Sequence, residues 1–361
     1  MDSARHRPAG TRPDTPAADD GRPDGMSRRP ALALGAGLTA LATPVAAVLG
    51  AAAPARADGT TAAARPTDPG SYITTSRGPG TFPLVENGRA TPLVVDAHDH
   101  EGVVRAAGDL RDDLERVTGV APVLSPDTAG LREVVLIGTL GKSPLIDRLV
   151  AAGRLDVSGI AGKWETSLEQ VVEHPLPGVD RAFVIAGSDQ RGTLYGIYDV
   201  SRGIGVSPWY WWADAAPSHQ DLLHVRPGRH TQGTPAVKYR GFFINDENPS
   251  LGTWAPAHFG PGLAPGHPDG FNHTFYAKVF ELMLRLKANY LWPAVWGRAF
   301  AEDDPENHAT ATAYGVVMGT SHEASMMRGI EEWNRHAVPA VRDGQGNVVT
   351  PGSDPYGGTG E

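Results

Sequence analysis

Three apolar stretches decide the fold of this chain: RGFFIN (residues 240–245), ANYLWP (288–293) and GVVMG (315–319). Each stretch has the length and apolar content of a buried strand, and polar or aromatic side chains follow it before a helical pattern begins. Strands that alternate with helices form a parallel sheet, and the carboxyl ends of its strands meet at one edge. The sequence therefore predicts one shared edge at which the side chains that follow the three strands come together.

Helical patterns follow these strands. Residues 274–286 carry apolar side chains over much of the helical circumference, which predicts a helix buried on more than one side. The second helix is predicted to begin at Asp304 and Pro305, a capping carboxylate and a proline suited to the first turn, and to end near Tyr314. The third is predicted over 325–336. The fold class is therefore α/β, with about three βα units forming the first part of a (β/α)8 barrel of the TIM type.

A separate α/β domain is predicted ahead of this partial barrel. Strand patterns at 93–95, 133–137 and 182–185 alternate with helical ones, of which 101–118 places its apolar side chains on one stripe and is stopped by Gly119. The predicted order is a linker at 58–70, an α/β domain at 71–217, a second linker at 218–236, a partial (β/α)8 catalytic barrel at 237–340 and a flexible, truncated tail at 341–361.

The amino-terminal residues 1–57 predict a disordered extension followed by an export signal peptide. Arg28 and Arg29 precede an apolar, alanine-rich run at 31–53, and small residues ending at Ala57 supply a cleavage site. The paired arginines favour the twin-arginine route, while the general secretory route stays open. A membrane anchor is the alternative, although the glycines and the proline in the run weaken a spanning helix. The predicted localisation is secreted.

The composition excludes several classes of function. A net charge of -9 and the lack of a long basic run argue against nucleic acid and anionic membranes as partners, and the absence of cysteine excludes thiolate chemistry. Only two residues separate Gly138 from Gly141, where a phosphate-binding loop needs four. The alternate spacing of Asp96, His98 and His100 fits either metal ligands or a solvated turn. The sequence predicts no cofactor and no metal.

Several longer motifs resemble one known family, glycoside hydrolase family 115, the xylan α-1,2-glucuronidases. The resemblance covers about 71–333 and concerns the amino-terminal portion of the family. It is carried by the stretches FINDE (243–247), 278–297, DDP (303–305) and YGVVMGTSH (314–322), together with 184–189, 192–198 and 205–212 upstream.

The resemblance implies a secreted enzyme that releases glucuronic acid, or its 4-O-methyl ether, from xylan or xylo-oligosaccharides with inversion at the anomeric carbon. Inversion needs a general acid and a general base whose carboxyl groups lie about 6.5 to 9.5 Å apart, so that a water molecule fits between them. The family needs no metal, and the resemblance implies that the full-length protein is a homodimer.

Five residues carry the family site onto this sequence. Asp246 and Glu247 are the candidate catalytic carboxylates, and Asn245, Trp296 and His322 are the candidate substrate-binding residues. An indole can stack on the C–H face of a pyranose, and an imidazole can hydrogen-bond the sugar or its carboxylate. The structural alternatives are an ion pair behind the site for Glu247, a core position for Trp296 and a structural position at the rim for His322.

Two departures from the family pattern bear on activity. The motif EASM (323–326) stands where the family usually has a second histidine followed by Glu-Pro-Met. Because only about three of eight βα units are present, the chain is expected to be truncated and to lack the general acid, so its own activity is left open. The alternative functions are a non-catalytic carbohydrate-binding protein and a glycosidase that acts on another sugar.

Overall fold

The computed structural model describes residues 71–321, 329–353 and 359–360, all of which belong to one unit, Gly59–Glu361. The predicted extension and signal peptide at 1–57, the linker at 58–70 and His322 lie outside these ranges. Within the described ranges, none of the helices combines the length and the apolar character needed to span a bilayer.

The elements follow one another along the chain as strands and helices of short to medium length. In order they are β1 (Ile73–Thr74), β2 (Phe82–Glu86), β3 (Arg89–Ala90), β4 (Leu93–Val95), α1 (Glu101–Thr118), β5 (Leu124–Ser125), β6 (Glu133–Thr139), α2 (Pro144–Ala151), β7 (Ser167–Glu173), β8 (Arg181–Gly187), α3 (Gln190–Gly203), β9 (Leu223–Val225), β10 (Arg229–Gln232), β11 (Gly241–Phe243), α4 (Leu251–Phe259), α5 (His273–Arg285), β12 (Tyr290–Trp292), α6 (Phe300–Asp303), α7 (Glu306–Tyr314), β13 (Val317–Met318), α8 (Ile330–His336), β14 (Val341–Arg342), β15 (Val348–Thr350), β16 (Gly352–Ser353) and β17 (Thr359–Gly360).

A mixed sheet with the strand order β10-β7-β8-β6-β4-β5 carries the predicted α/β domain. Strands β4, β5, β6 and β8 run parallel, and β7 pairs antiparallel with β8 along its whole length. Side chains alternate between two apolar faces, so that Val135 and Ile137 of β6 pack with α1 and α3 while Val134 and Leu136 pack with α2. Because both faces are covered by helices, the inner strands β6 and β8 are apolar over most of their length.

The segment predicted as a linker, 218–236, contributes two strands instead. β9 pairs with β1 and β2 in an antiparallel sheet of order β1-β9-β2-β3, and β10 forms the edge of the mixed sheet beside β7. Leu223 and Val225 have no exposed surface, which explains why this part of the chain is fixed. The predicted tail likewise contains a hairpin, in which Val341–Arg342 pairs with Val348–Thr350.

The three apolar stretches at 240–245, 288–293 and 315–319 form a parallel sheet of order β11-β12-β13. Tyr290 is the Cα partner of Gly241 on one side and of Val317 on the other, so all three strands share one direction and register. Helices α4 and α5 follow β11, and helices α6 and α7 follow β12. The α/β class and the parallel arrangement are confirmed. A closed barrel is not formed by the described residues, and it stays a prediction.

One hydrophobic core joins the two sheets. It contains Leu110 of α1, Tyr195 of α3, Phe280 of α5 and Leu291 of β12, all of which are buried. The boundary predicted between domains near 217 and 237 is therefore crossed by continuous packing, and the division into two domains stays a prediction.

Glu165 fixes the amino ends of the parallel sheet. Its carboxylate is buried and accepts hydrogen bonds from Arg191 Nε at 2.5 Å, Asn289 Nδ2 at 2.7 Å and Arg240 Nη2 at 2.6 Å. Arg240 directly precedes β11 and Asn289 directly precedes β12, and the Arg240 backbone N–H donates to Asn289 Oδ1. A single carboxylate, two residues before β7 of the mixed sheet, thus sets where the parallel sheet begins.

The contact between β11 and β12 depends on Gly241. A Cβ at this position would lie 1.5 Å from the Tyr290 carbonyl oxygen. We expect Gly241→Ala to force the strands apart and to lower the free energy of unfolding by about 1–3 kcal/mol, measured by urea denaturation. Gly108→Ala in α1 is the matched control, because no atom lies within 4 Å of its Cβ. That change should stabilise the protein by about 0.5–1 kcal/mol, and effects of equal sign would contradict the argument.

Candidate functional site

The candidate site lies at the carboxyl edge of the β11-β12-β13 sheet. β11 ends at Phe243, β12 ends at Trp292 and β13 ends at Met318. Because the three strands are parallel neighbours, the segments that follow them meet at one edge, as the sequence predicts.

Asp246 follows β11 at this edge and is fully buried. Its Oδ1 accepts a hydrogen bond from the Val295 backbone N–H at 3.3 Å, and its Oδ2 accepts one from the Trp296 backbone N–H at 3.0 Å. Oδ2 also accepts from Arg298 Nη1 at 3.1 Å. Both carboxylate oxygens therefore hold the segment that follows β12, and the side chain offers no surface to a ligand. That Asp246 acts on the sugar itself stays a prediction, which these contacts do not favour.

Arg298 is a site residue that the sequence argument missed. Its side chain is buried, and its guanidinium donates to the carbonyl oxygens of Trp296 (2.7 Å), Gly252 (3.0 Å) and Asp269 (3.2 Å) as well as to Asp246. The sequence carries no local signal for it, because the need for a cation arises only from the burial of Asp246 by distant residues.

The other predicted site residues divide by exposure. Trp296 is 45% exposed, and Asn245 and Glu247 are exposed on the side of the chain opposite to buried Asp246. This alternation is the one expected of extended backbone. The structure thus brings Trp296 and Asp246 into direct contact and leaves the side chains of Asn245 and Glu247 open to solvent. His322 lies outside the described residues.

A cleft of about 250 Å³ opens between the ends of β12 and β13. Its walls are mostly apolar, with a guanidinium and one carboxylate among them. They include Pro293, Val295, Arg298, Met318, Thr320 and Glu332. Glu332, on α8, is buried and was not predicted as a site residue.

The carboxylates of the 303–305 motif are bound by groups from other parts of the chain. Asp304 accepts from the backbone N–H of His273 at 2.8 Å and contacts its Nδ1 at 2.6 Å. Burial alone would raise the pKa of Asp304, but the hydrogen bonds from the His273 and Glu306 backbone lower it below its usual value. Asp303 is bound by Arg335, yet burial raises its pKa. Both groups are enclosed, so neither reaches the cleft as a free acid.

The possible metal ligands near the first sheet form a turn. Asp96 Oδ1 accepts from the His98 backbone N–H at 2.8 Å and lies 3.0 Å from its Nδ1. Across the described ranges, the structure brings no three His, Asp or Glu side chains together in a way that could hold a metal ion.

Comparison with known proteins gives two informative matches. Residues 232–350 match the model of glycosyl hydrolase family 115. A solved family 115 4-O-methyl-α-glucuronidase, with specificity for decorated arabinogalactans, is 32% identical with a TM-score of 0.56. The match covers 67% of this chain and 30% of that one, so the chain spans less than a third of that relative's length.

Two further solved structures are similar at lower identity and lower TM-score. They are an N-acetyl-β-hexosaminidase of Streptomyces plicatus (13% identity, TM-score 0.40, 72% of this chain and 45% of that chain) and a β-N-acetylhexosaminidase of Streptomyces coelicolor (10%, 0.39, 72% and 46%). No curated protein matches the chain.

Proposed function

The chain belongs to glycosyl hydrolase family 115. From this membership we propose that it acts as a glycosidase that releases glucuronic acid or 4-O-methylglucuronic acid from xylan. One observation in the structure supports the proposal most directly. An exposed indole, Trp296, stands at the carboxyl edge of a parallel sheet, and an indole can stack on a sugar ring.

The proposed roles follow from exposure. Trp296 stacks on the sugar, and Asn245 hydrogen-bonds its hydroxyl groups. Glu247, whose side chain is exposed, is the better placed of the two predicted carboxylates to orient a water molecule. Asp246 contributes by holding the segment that carries Trp296. His322 is proposed as a partner of the sugar hydroxyls or of the sugar carboxylate.

Inversion requires a second carboxyl group across the sugar from the first. We assign no residue to the general acid, because Asp303 and Asp304 are enclosed by their partners. Xylan is an extracellular polysaccharide, which agrees with the export signal predicted at 1–57. A homodimer stays part of the proposal for the full-length protein.

A second candidate substrate has a specific observation in its favour. The family 115 relative has specificity for decorated arabinogalactans. Both candidate substrates carry the same type of uronic acid, and they differ only in the sugar of the backbone. Titration of the chain with 4-O-methylglucuronic acid-substituted xylo-oligosaccharides and, in parallel, with glucuronic acid-substituted galacto-oligosaccharides separates the two. Assay of free uronic acid in the same mixtures separates an enzyme from a binding protein.

Removal of the exposed indole gives the sharpest test of this proposal. We expect Trp296→Ala to weaken binding of the substituted xylo-oligosaccharides by about 10-fold, since the loss of one stacking face is worth about 1–1.5 kcal/mol. Tyr239→Ala is the matched control, because Tyr239 is an aromatic residue that is 53% exposed but lies before β11, at the amino end of the sheet. Calorimetric titration measures both, and equal losses in the two variants would remove Trp296 from the site.

A further inference from the structure

We propose that Arg298 is a positioning residue that fixes the direction of the Trp296 indole. The proposal rests on the proposed function for the identity of the sugar. The placing of the indole is a property of the protein alone and can be measured without a ligand.

The backbone of Trp296 is held on both sides by one ion pair. Its N–H donates to Asp246 Oδ2 at 3.0 Å, and its C=O accepts from Arg298 Nη1 at 2.7 Å. The same Nη1 donates to Asp246 Oδ2 at 3.1 Å, which closes the arrangement. Because the two peptide planes that flank Trp296 are held, the direction of its Cα–Cβ bond is fixed, and the indole is left only the staggered rotamers that this backbone allows.

The guanidinium itself cannot turn. Nη2 donates to the Gly252 carbonyl at 3.0 Å, Nε donates to the Asp269 carbonyl at 3.2 Å, and Cζ lies 4.6 Å from the centre of the Phe271 ring. A Cβ at Gly252 would lie 2.7 Å from Nη2, so the first turn of α4 packs directly against the guanidinium. Arg298 thereby ties the segment after β12 to the chain after β11 and to the turn before α5.

Only an arginine can make this set of contacts. The planar guanidinium presents its donors in a fixed fork, whereas a lysine ammonium is one compact point on a flexible stem. A lysine at 298 can keep the charge beside buried Asp246, but it cannot reach the Trp296, Gly252 and Asp269 carbonyls together. Pre-organisation of the indole reduces the ordering cost of binding a sugar, which is how the arginine contributes to affinity.

The direct test is a spectroscopic signature of the indole. The full-length chain is labelled with 5-fluorotryptophan, and Trp296→Phe identifies the ¹⁹F resonance of Trp296. We expect Arg298→Lys to move this resonance toward the position of free tryptophan and to change its line width, while the other resonances keep theirs. Arg285→Lys is the matched control, because Arg285 is also a buried arginine paired with a buried aspartate. It should leave the Trp296 resonance in place.

Asp246→Asn provides a second variant if Arg298→Lys does not fold, since it keeps the shape of the anchor and removes its charge. It should shift the same resonance. A Trp296 resonance that is unchanged in the folded Arg298→Lys protein, or in folded Asp246→Asn where the lysine variant does not fold, overturns the proposal.

Binding gives the functional readout through a double-mutant cycle. With 4-O-methylglucuronic acid-substituted xylo-oligosaccharide as the probe, Arg298→Lys is expected to weaken binding by about 2- to 10-fold in the wild-type background. In the Trp296→Ala background the same change should have an effect of less than about twofold. Equal losses in both backgrounds would show that Arg298 does not act through Trp296. A wild-type chain that does not bind the probe, together with a shifted resonance in Arg298→Lys, contradicts the proposed substrate and leaves the positioning role supported.

Discussion

Replacement of Asp113 by alanine is expected to lower the free energy of unfolding by about 2–4 kcal/mol, because buried Arg285 loses two hydrogen bonds to a carboxylate and is left with the ion pair to Glu281. Asp113, on α1, is fully buried and accepts from Arg285 Nη1 at 2.7 Å and from Arg285 Nη2 at 3.3 Å. Burial raises the pKa of Asp113, while the attraction of Arg285 opposes the rise. Since Arg285 is the last residue of α5, this pair ties α1, which packs on the mixed sheet, to the helix that precedes β12.

The neighbouring aspartate supplies the control. Asp112 has 48% of its side chain exposed and pairs only with its neighbour Arg111, so Asp112→Ala should change the free energy of unfolding by less than about 0.5 kcal/mol. Urea denaturation of both variants at pH 7 measures the difference. The double replacement Asp113→Leu with Arg285→Met should recover part of the loss, because an apolar pair carries no desolvation cost and Glu281 keeps its hydrogen bonds from Lys278 and Tyr210. Equal and small effects of the two single changes would show that the buried pair does not hold the helices together.

Long, strongly periodic elements could be predicted from the sequence. The apolar stripe predicts a helix over 101–118, and α1 has these bounds, with Gly119 in the left-handed region at φ 75° to end it. The strands predicted at 133–137 and 182–185 are found as β6 and β8, each two or three residues longer. In both cases the signal is local, because the pattern of apolar side chains within one segment decides which faces are buried.

Elements that depend on distant partners could not be predicted. β9 has three residues and β10 has four, too few to show a pattern, and they are strands because β1, β2 and β7 supply their hydrogen bonds. Helix α4 contains Pro256, which weakens any helical prediction for its segment. Its first turn is instead held by Arg298, which donates a hydrogen bond to the Gly252 carbonyl across 46 residues. No local pattern in the sequence predicts this contact.

The candidate site was predictable in place but not in roles. Parallel strands bring their carboxyl ends together whatever the side chains are, so the shared edge follows from the alternation of strands and helices. The role of Asp246 depends on burial, which the backbone N–H groups of Val295 and Trp296 and the guanidinium of Arg298 produce from about fifty residues away. A carboxylate after a strand is therefore a good marker of the edge and a poor guide to which group meets the substrate.

The stability of the protein is expected to fall as the pH rises from about 4.5 to 8, because Glu169 must lose a proton in a buried site. Glu169, on β7, is 2% exposed, and burial raises its pKa to about 8, with a further rise from Asp199 and opposing effects of Ser167 and Lys287. The folded state keeps the proton that the unfolded state releases near pH 4.5. The stabilisation is thus complete below the unfolded pKa and is lost by about pH 8. At about 1.4 kcal/mol per pH unit, the total is several kcal/mol.

Glu169→Gln isolates this effect because glutamine keeps the shape of the protonated side chain and does not ionise. The difference in free energy of unfolding between Glu169→Gln and wild type should shift steadily in favour of the variant between pH 5 and 8. Glu173→Gln is the matched control on the same strand, since Glu173 is exposed, and its curve should stay parallel to wild type. Urea denaturation at intervals of one pH unit measures all three proteins.

The neighbours of Glu169 decide whether the difference belongs to Glu169 itself. His230 of β10 is its cross-strand partner, and burial lowers the pKa of this imidazole, so His230 reduces stability at the acid end. Asp199 of α3, whose charge raises the pKa of Glu169, accepts from Tyr72 Oη at 3.2 Å and from Lys287 Nζ at 2.9 Å. The contributions of these groups are common to wild type and Glu169→Gln and cancel to first order in the difference. A difference that does not change between pH 5 and 8 would therefore mean that Glu169 is ionised in the folded protein at neutral pH, with Lys287 as its counter-ion.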